Sequence, residues 1–141
     1  MTNWKIPLYK INTTLDDIRS VSMVVRRNMD WALGPEIDKF EKNLADYVGS
    51  KFCISFNSGT SALHASLLSI GLKSNQEIIV PSFTFIATAN SVLMAGGIPH
   101  FVDIEKENFG LDPAQTENSI SKNVKAIMPV HYAGLPCKIN E

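Results

Sequence analysis

A short run of small polar residues, Ser58-Gly59-Thr60-Ser61, has the composition of an anion-binding turn. The apolar residues 52–56 before it predict a short buried strand, and the apolar spacing after it predicts a helix. The first N–H groups of such a helix have no acceptor within the helix, and nearby hydroxyls add further donors for a bound anion. An ordinary helix N-cap at Ser58, with nothing bound, explains the same four residues.

Elsewhere in the chain, stretches with strand composition alternate with stretches of helical apolar spacing. This alternation is typical of an α/β fold, in which a mostly parallel sheet is covered by helices on both faces. The sequence predicts helices over residues 13–25, 36–48, 59–70 and 84–95 and a short helix from Pro113, and strands over residues 52–56, 77–80, 100–104 and 125–130. Because parallel strands end at one edge of a sheet, ligand-binding residues are expected at that edge.

The residues that follow the predicted strands carry hydroxyl, aromatic and imidazole groups. Phe85 follows the second strand and His131 follows the fourth, so both are expected to share a rim with the Ser-Gly-Thr-Ser turn. A phosphate on the helix start and an aromatic ring beside it would suit a flat, phosphorylated cofactor. Neither G-x-G-x-x-G nor G-x-x-x-x-G-K-[ST] occurs, so the sequence does not indicate a dinucleotide or a nucleoside triphosphate.

Composition narrows the class of protein. The chain has 141 residues, of which 45% are hydrophobic, so it can bury one core. Its net charge of −1 lacks the excess of basic residues that is typical of proteins that bind nucleic acid. It has no apolar stretch near the roughly 20 residues of a membrane span and no signal-peptide block at its start. Cys53 and Cys137 lack metal-ligand spacing. These features predict a cytoplasmic protein that has no metal site. The protein is also expected to bind neither membranes nor nucleic acid.

Five motifs occur in an order and spacing that resemble the DegT/DnrJ/EryC1/StrS family of pyridoxal-phosphate-dependent sugar aminotransferases. They are G-P-E at 34–36, F-E at 40–41, N-S-G-T-S-A-L at 57–63, P-S-F-T-F-I-A-T-A-N at 81–90 and P-V-H-Y-A-G at 129–134. The resemblance implies the N-terminal part of a fold-type-I large domain, a three-layer α/β/α structure with a mostly parallel sheet. Residues 1–34 would form an N-terminal helix and active-site loop, and residues 35–141 the first part of the domain that binds pyridoxal phosphate, incomplete at its C-terminus.

The resemblance also assigns roles to individual residues. It implies that the turn before the third helix binds the cofactor phosphate and that an aromatic residue stacks on the pyridine ring. The candidate residues are Ser58, Gly59, Thr60, Ser61 and Phe85 for the cofactor, and Trp31 and His131 for the substrate. Simple packing for Trp31 and a structural hydrogen bond for His131 remain open.

By resemblance, this is the N-terminal portion of a homodimeric aminotransferase that acts on nucleotide-linked keto sugars, with glutamate as the amino donor. In that family, the lysine that holds the cofactor and the acid at the ring nitrogen lie downstream of the His-Tyr-Ala-Gly motif. No lysine of this chain has a matching context, so no catalytic residue is assigned. A sugar dehydratase of the same family stays open, as does a non-catalytic truncated or split chain, including one completed by a separate C-terminal chain.

Overall fold

The computed structural model describes residues 5–6 and 9–141 and divides the chain into two compact parts, Met1–Ser55 and Phe56–Glu141. The first part contains helix α1 (Leu15–Arg26) and helix α2 (Pro35–Val48). A reciprocal cap begins α1, because Thr14 and Asp17 each accept a hydrogen bond from the backbone N–H of the other. Gly49, with a left-handed φ of 72°, ends α2.

The second part is an α/β unit built on a three-stranded, fully parallel sheet in the order β2-β1-β3. Its strands are β1 (Glu77–Pro81), β2 (Ile98–Val102) and β3 (Val124–Ile127), and its helices are α3 (Gly59–Ser69), α4 (Ala87–Met94) and α5 (Pro113–Ser119). A 3-10 turn over Tyr132–Gly134 follows β3. The predicted α/β fold class is confirmed. Every helix in the described part of the chain is too short or too polar to span a bilayer.

The core of this unit lies on both faces of β1. Ile78 and Val80 pack with residues of α3 and α4, whereas Ile79, which points to the opposite face, packs with Leu111. All three β1 side chains are fully buried. A central strand that is covered on both faces consists of a continuous run of apolar residues, and this run is why β1 could be predicted from the sequence.

The bounds of four elements differ from prediction by two or three residues. Helix α1 begins at Leu15 instead of residue 13. Helix α4 begins at Ala87 instead of residue 84, and β2 covers Ile98–Val102 instead of 100–104. Strand β3 ends at Ile127 instead of residue 130. Pro129 has no N–H to continue the ladder beyond Met128, whose N–H donates to the Ile79 carbonyl at 2.8 Å.

The strand predicted over residues 52–56 is wrong. This segment is not a strand in the structure, and the side chains of Phe52 and Ile54 are 75% and 72% exposed. Its backbone is held by α2 instead, because the Glu41 carboxylate accepts from the N–H and the Oγ of Ser55, each at 2.7 Å. A strand requires a neighbouring strand for its N–H and C=O groups, and an apolar run does not reveal whether that neighbour is present.

Candidate functional site

The start of α3 and the loops after β1 and β3 line one open cavity of about 590 Å³. Parallel strands place their carboxyl ends on the same edge of a sheet, which brings these loops together. Four residues singled out from the sequence line the cavity: Gly59, Thr60, Phe85 and His131. Ser58 and Ser61, which belong to the same predicted turn, are not among the residues that line it.

The start of α3 combines a helix cap with unused backbone donors. The Ser58 Oγ accepts from the Ser61 N–H at 3.1 Å and lies 2.9 Å from the Ser61 Oγ. The first helical bond joins the Ala62 N–H to the Ser58 carbonyl, so the N–H groups of Gly59 and Thr60 precede the helical ladder. A Cβ built on Gly59 meets no atom within 4 Å. Ser58 therefore caps the helix, and the space beside the Gly59 Cα is open to an approaching anion.

The two phenylalanines after β1 have different surroundings. Phe85 lines the cavity and is 76% exposed. The Phe83 ring centre lies 4.5 Å from that of Tyr132 and 6.0 Å from that of Phe109, so Phe83 belongs to an aromatic cluster. Phe85 is thus the one of the two that can stack on a flat ligand, whereas Phe83 contributes to packing.

A pair of threonines in the cavity was missed from the sequence. The Oγ1 atoms of Thr84 and Thr88 lie 2.8 Å apart, and Thr88 is buried. Both residues line the cavity. Thr84 lies three residues before α4 begins, so the pairing rule for helical residues four apart does not cover it.

His131 makes a contact that the sequence did not reveal. Its Nδ1 accepts a hydrogen bond from the Cys137 N–H at 3.2 Å and lies 3.2 Å from the Cys137 Sγ. Because His131 also lines the cavity, the structural bond and a ligand contact are compatible. No motif links residues six apart across a turn, so only the folded backbone shows this pairing.

The loop before α2, which contains Trp31, is held by one arginine. Arg27 donates to the carbonyls of Met29 and Asp30 at 3.1 and 2.8 Å and to the Glu36 carboxylate at 2.8 Å. The pKa of Glu36 is lowered by a hydrogen bond from its own backbone N–H and then by Arg27. Trp31 is 63% exposed on this loop. Its contact with a substrate stays a prediction.

The chemistry of the cavity is that of a neutral binding site. Among the described residues that line it there is neither a lysine nor a carboxylate. What it offers is backbone N–H groups at a helix start, hydroxyls, an exposed aromatic ring and an imidazole. These groups can bind a phosphate and a planar ring, but they supply no amine for covalent attachment.

Comparison with known proteins identifies the family. The model of the DegT/DnrJ/EryC1/StrS aminotransferase family matches residues 13–141. GDP-perosamine synthase of Caulobacter vibrioides is 46% identical over 109 residues, which are 77% of this chain and 29% of that protein. The 3-oxo-glucose-6-phosphate:glutamate aminotransferase of Bacillus subtilis is 37% identical over 123 residues, which are 87% of this chain and 28% of that protein.

A solved structure gives the same answer for the fold and for the family's cofactor. NtdA from Bacillus subtilis, with bound cofactor PMP, matches 90% of this chain and 30% of its own with 34% identity and a TM-score of 0.80. The chain thus spans less than a third of the length of each of these three relatives. The bound PMP confirms the predicted dependence of the family on pyridoxal phosphate. The chain belongs to the DegT/DnrJ/EryC1/StrS aminotransferase family.

Proposed function

We propose that this chain is the N-terminal, cofactor-binding portion of a pyridoxal-phosphate-dependent aminotransferase that acts on a nucleotide-linked keto sugar. The observation that carries the proposal is the cavity in which the start of α3, Phe85 and His131 meet. The name of GDP-perosamine synthase supports a nucleotide-linked sugar, and the name of the Bacillus subtilis relative supports glutamate as the amino donor. We further propose that the complete protein is a homodimer that acts in the cytoplasm in polysaccharide biosynthesis.

The residues present fit the phosphate end of pyridoxal phosphate. The N–H groups of Gly59 and Thr60 lie outside the helical ladder, and the positive end of the α3 dipole adds to their attraction for an anion. The absence of a side chain at Gly59 leaves room for phosphate oxygens next to the backbone. Phe85 offers an exposed ring at the same cavity for the pyridine.

Each part of this chain then has a defined task. Gly59 and Thr60 bind the phosphate, Phe85 holds the ring flat, and His131 contacts a polar group of the bound molecules. When bound, the cofactor supplies the electron-withdrawing ring on which amine transfer depends. The amine that attaches it and the acid at its ring nitrogen are assigned to a further segment, carried by the same protein or by a complementing chain.

The test is a titration of the chain with pyridoxal phosphate, compared with pyridoxal, which lacks the phosphate. Gly59→Val is expected to lower the affinity for pyridoxal phosphate by about tenfold or more, since it blocks charge-assisted bonds to the backbone. The affinity for pyridoxal is expected to change little. Circular dichroism should show an unaltered fold, because the site of the new Cβ is open. Equal affinity of Gly59→Val and the unmodified chain for pyridoxal phosphate would refute the proposal.

A further inference from the structure

The hydrogen bond between His131 and Cys137 fixes which ring nitrogen carries the proton. The Cys137 backbone N–H donates to the His131 Nδ1 at 3.2 Å, and a backbone N–H can only donate. The Nδ1 atom must therefore be unprotonated. In a neutral imidazole the proton then resides on Nε2.

Cys137 is well placed to impose this state, because its own position is fixed. Cys137 is only 6% exposed, and a Cβ built on Gly110 would lie 2.4 Å from the Cys137 Cβ, so the two backbones are in close contact. The Asn108 side chain donates to the carbonyl of Pro136 at 3.0 Å, which ties down the preceding residue. The donor that faces His131 thus belongs to a packed, hydrogen-bonded frame.

His100 shows that the opposite state also occurs in this chain. Its Nδ1 lies 2.8 Å from the Glu77 Oε2, and an ionised carboxylate can only accept. His100 must therefore carry a proton on Nδ1. The two histidines have opposite partners at the same atom, so the protonation of His131 follows from Cys137 and is not a general property of the chain's imidazoles.

We propose that Cys137 is a positioning residue that holds His131 as the Nε2–H tautomer. His131 then meets the cavity as a hydrogen-bond donor to an oxygen of a bound ligand, such as a phenolate or carboxylate oxygen, and not as a general base. The inference rests on the proposed function only in taking this cavity as the ligand site. The central claim, that the His131 proton resides on Nε2, concerns the chain without ligand.

The experiment is long-range proton–nitrogen NMR of the imidazole rings at mildly alkaline pH, which shows which ring nitrogen carries a proton. The chain has three histidines, so single substitutions assign the signals. His131 is expected to show an unprotonated Nδ1 and a protonated Nε2, with the reverse pattern for His100. A protonated Nδ1 on His131 would overturn the proposal.

Amide exchange at Cys137 tests the same bond from the donor side. In His131→Leu the Nδ1 acceptor is lost, and the Cys137 N–H is expected to exchange about fivefold faster, the value of one ordinary hydrogen bond. His131→Asn is the matched control, because its side-chain oxygen can take the place of Nδ1 and should restore slow exchange. Equal exchange rates in His131→Leu and the unmodified chain would also overturn the proposal.

A titration with pyridoxal phosphate separates this inference from the proposed function. We expect His131→Leu to bind about fivefold more weakly and His131→Gln, whose amide keeps a donor, to recover most of the loss. Tight and equal binding by all three proteins would refute the donor role while leaving the cofactor site intact. Failure of every protein to bind would refute the proposed function, and the tautomer and exchange results would still decide the inference.

Discussion

At the scale of single residues, two buried threonines differ by one hydrogen bond. Within the described residues the Thr116 Oγ1 is buried and has no partner, whereas the Thr88 Oγ1 lies 2.8 Å from the Thr84 Oγ1. Replacing an unpaired buried hydroxyl by a methyl group removes a desolvation cost, so Thr116→Val should leave the free energy of unfolding unchanged or raise it. Thr88→Val should lower that free energy by about 1 kcal/mol. Urea denaturation measures both.

Each of these two variants is the control for the other, because the chemical change is identical at two buried positions. A drop of more than about 1 kcal/mol in Thr116→Val would show that its hydroxyl has a partner in solution. Equal effects in the two variants would mean that the Thr84–Thr88 bond contributes nothing net.

The two phenylalanines after β1 are also distinguished at this scale. Phe85→Ala is expected to weaken binding of pyridoxal phosphate about fivefold, since a stacked aromatic contact contributes on the order of 1 kcal/mol beyond burial. Phe83→Ala is expected to lower the free energy of unfolding by about 1 kcal/mol through its contacts with Phe109 and Tyr132. Ligand titration and thermal unfolding separate the effects. Exchange of the two outcomes would place the stacking role on Phe83.

Sequence reasoning went furthest where a residue's role depends on its immediate neighbours. Ser58 caps α3, which was the alternative to phosphate binding that the sequence left open, and Gly59 and Phe85 line the cavity. Their cofactor roles stay predictions. The hydrogen bond from Cys137 to His131 could not be predicted from the sequence, because it depends on a turn in which Ala133 has a left-handed conformation. No propensity specifies that an alanine adopts that conformation.

At the scale of elements, α2 holds the extended segment that follows it. The pKa of Glu41 lies below its ordinary value of 4.5, because the Ser55 N–H and then the Ser55 hydroxyl donate to the carboxylate. A carboxyl with a lowered pKa in the folded state stabilises the fold above about its ordinary pKa. That contribution is lost as the pH falls from near 4.5 through the lowered pKa.

The corresponding variant is Glu41→Gln, which keeps a side-chain oxygen but cannot titrate. Its thermal midpoint should fall less than that of the unmodified chain between neutral and acidic pH, and scanning calorimetry at both pH values measures this. Ser55→Ala removes only the hydroxyl, the smaller of the two causes, and should reduce the acid sensitivity in part. An unchanged pH response in Glu41→Gln would contradict the assigned role of this contact.

The same segment marks the limit of element prediction from sequence. Strand β1 was correctly predicted because its apolar run is buried on both faces within the part of the chain described here. Residues 52–56 have a similar apolar character, yet Phe52 and Ile54 are largely exposed and form no strand. Apolar side chains indicate a tendency toward sheet, whereas pairing depends on distant residues that the local pattern does not contain.

At the scale of the whole molecule, the cavity at the start of α3 holds binding groups without the groups of covalent chemistry. Its described lining lacks both a lysine and a carboxylate. Attachment of the cofactor needs an amine placed against its reactive carbon, and amine transfer needs an acid at the ring nitrogen. We therefore expect the 141-residue chain to bind pyridoxal phosphate reversibly and to carry out no amine transfer alone.

Borohydride reduction of the chain with pyridoxal phosphate, followed by peptide mass spectrometry, tests this expectation. Labelling should be low and spread over exposed lysines such as Lys51 and Lys125, neither of which lines the cavity. Gly59→Val is the matched control, because random labelling at the surface should not depend on the phosphate site. Stoichiometric labelling of one lysine that Gly59→Val abolishes, together with glutamate-dependent turnover of a nucleotide-linked keto sugar, would show that this chain itself carries the catalytic amine.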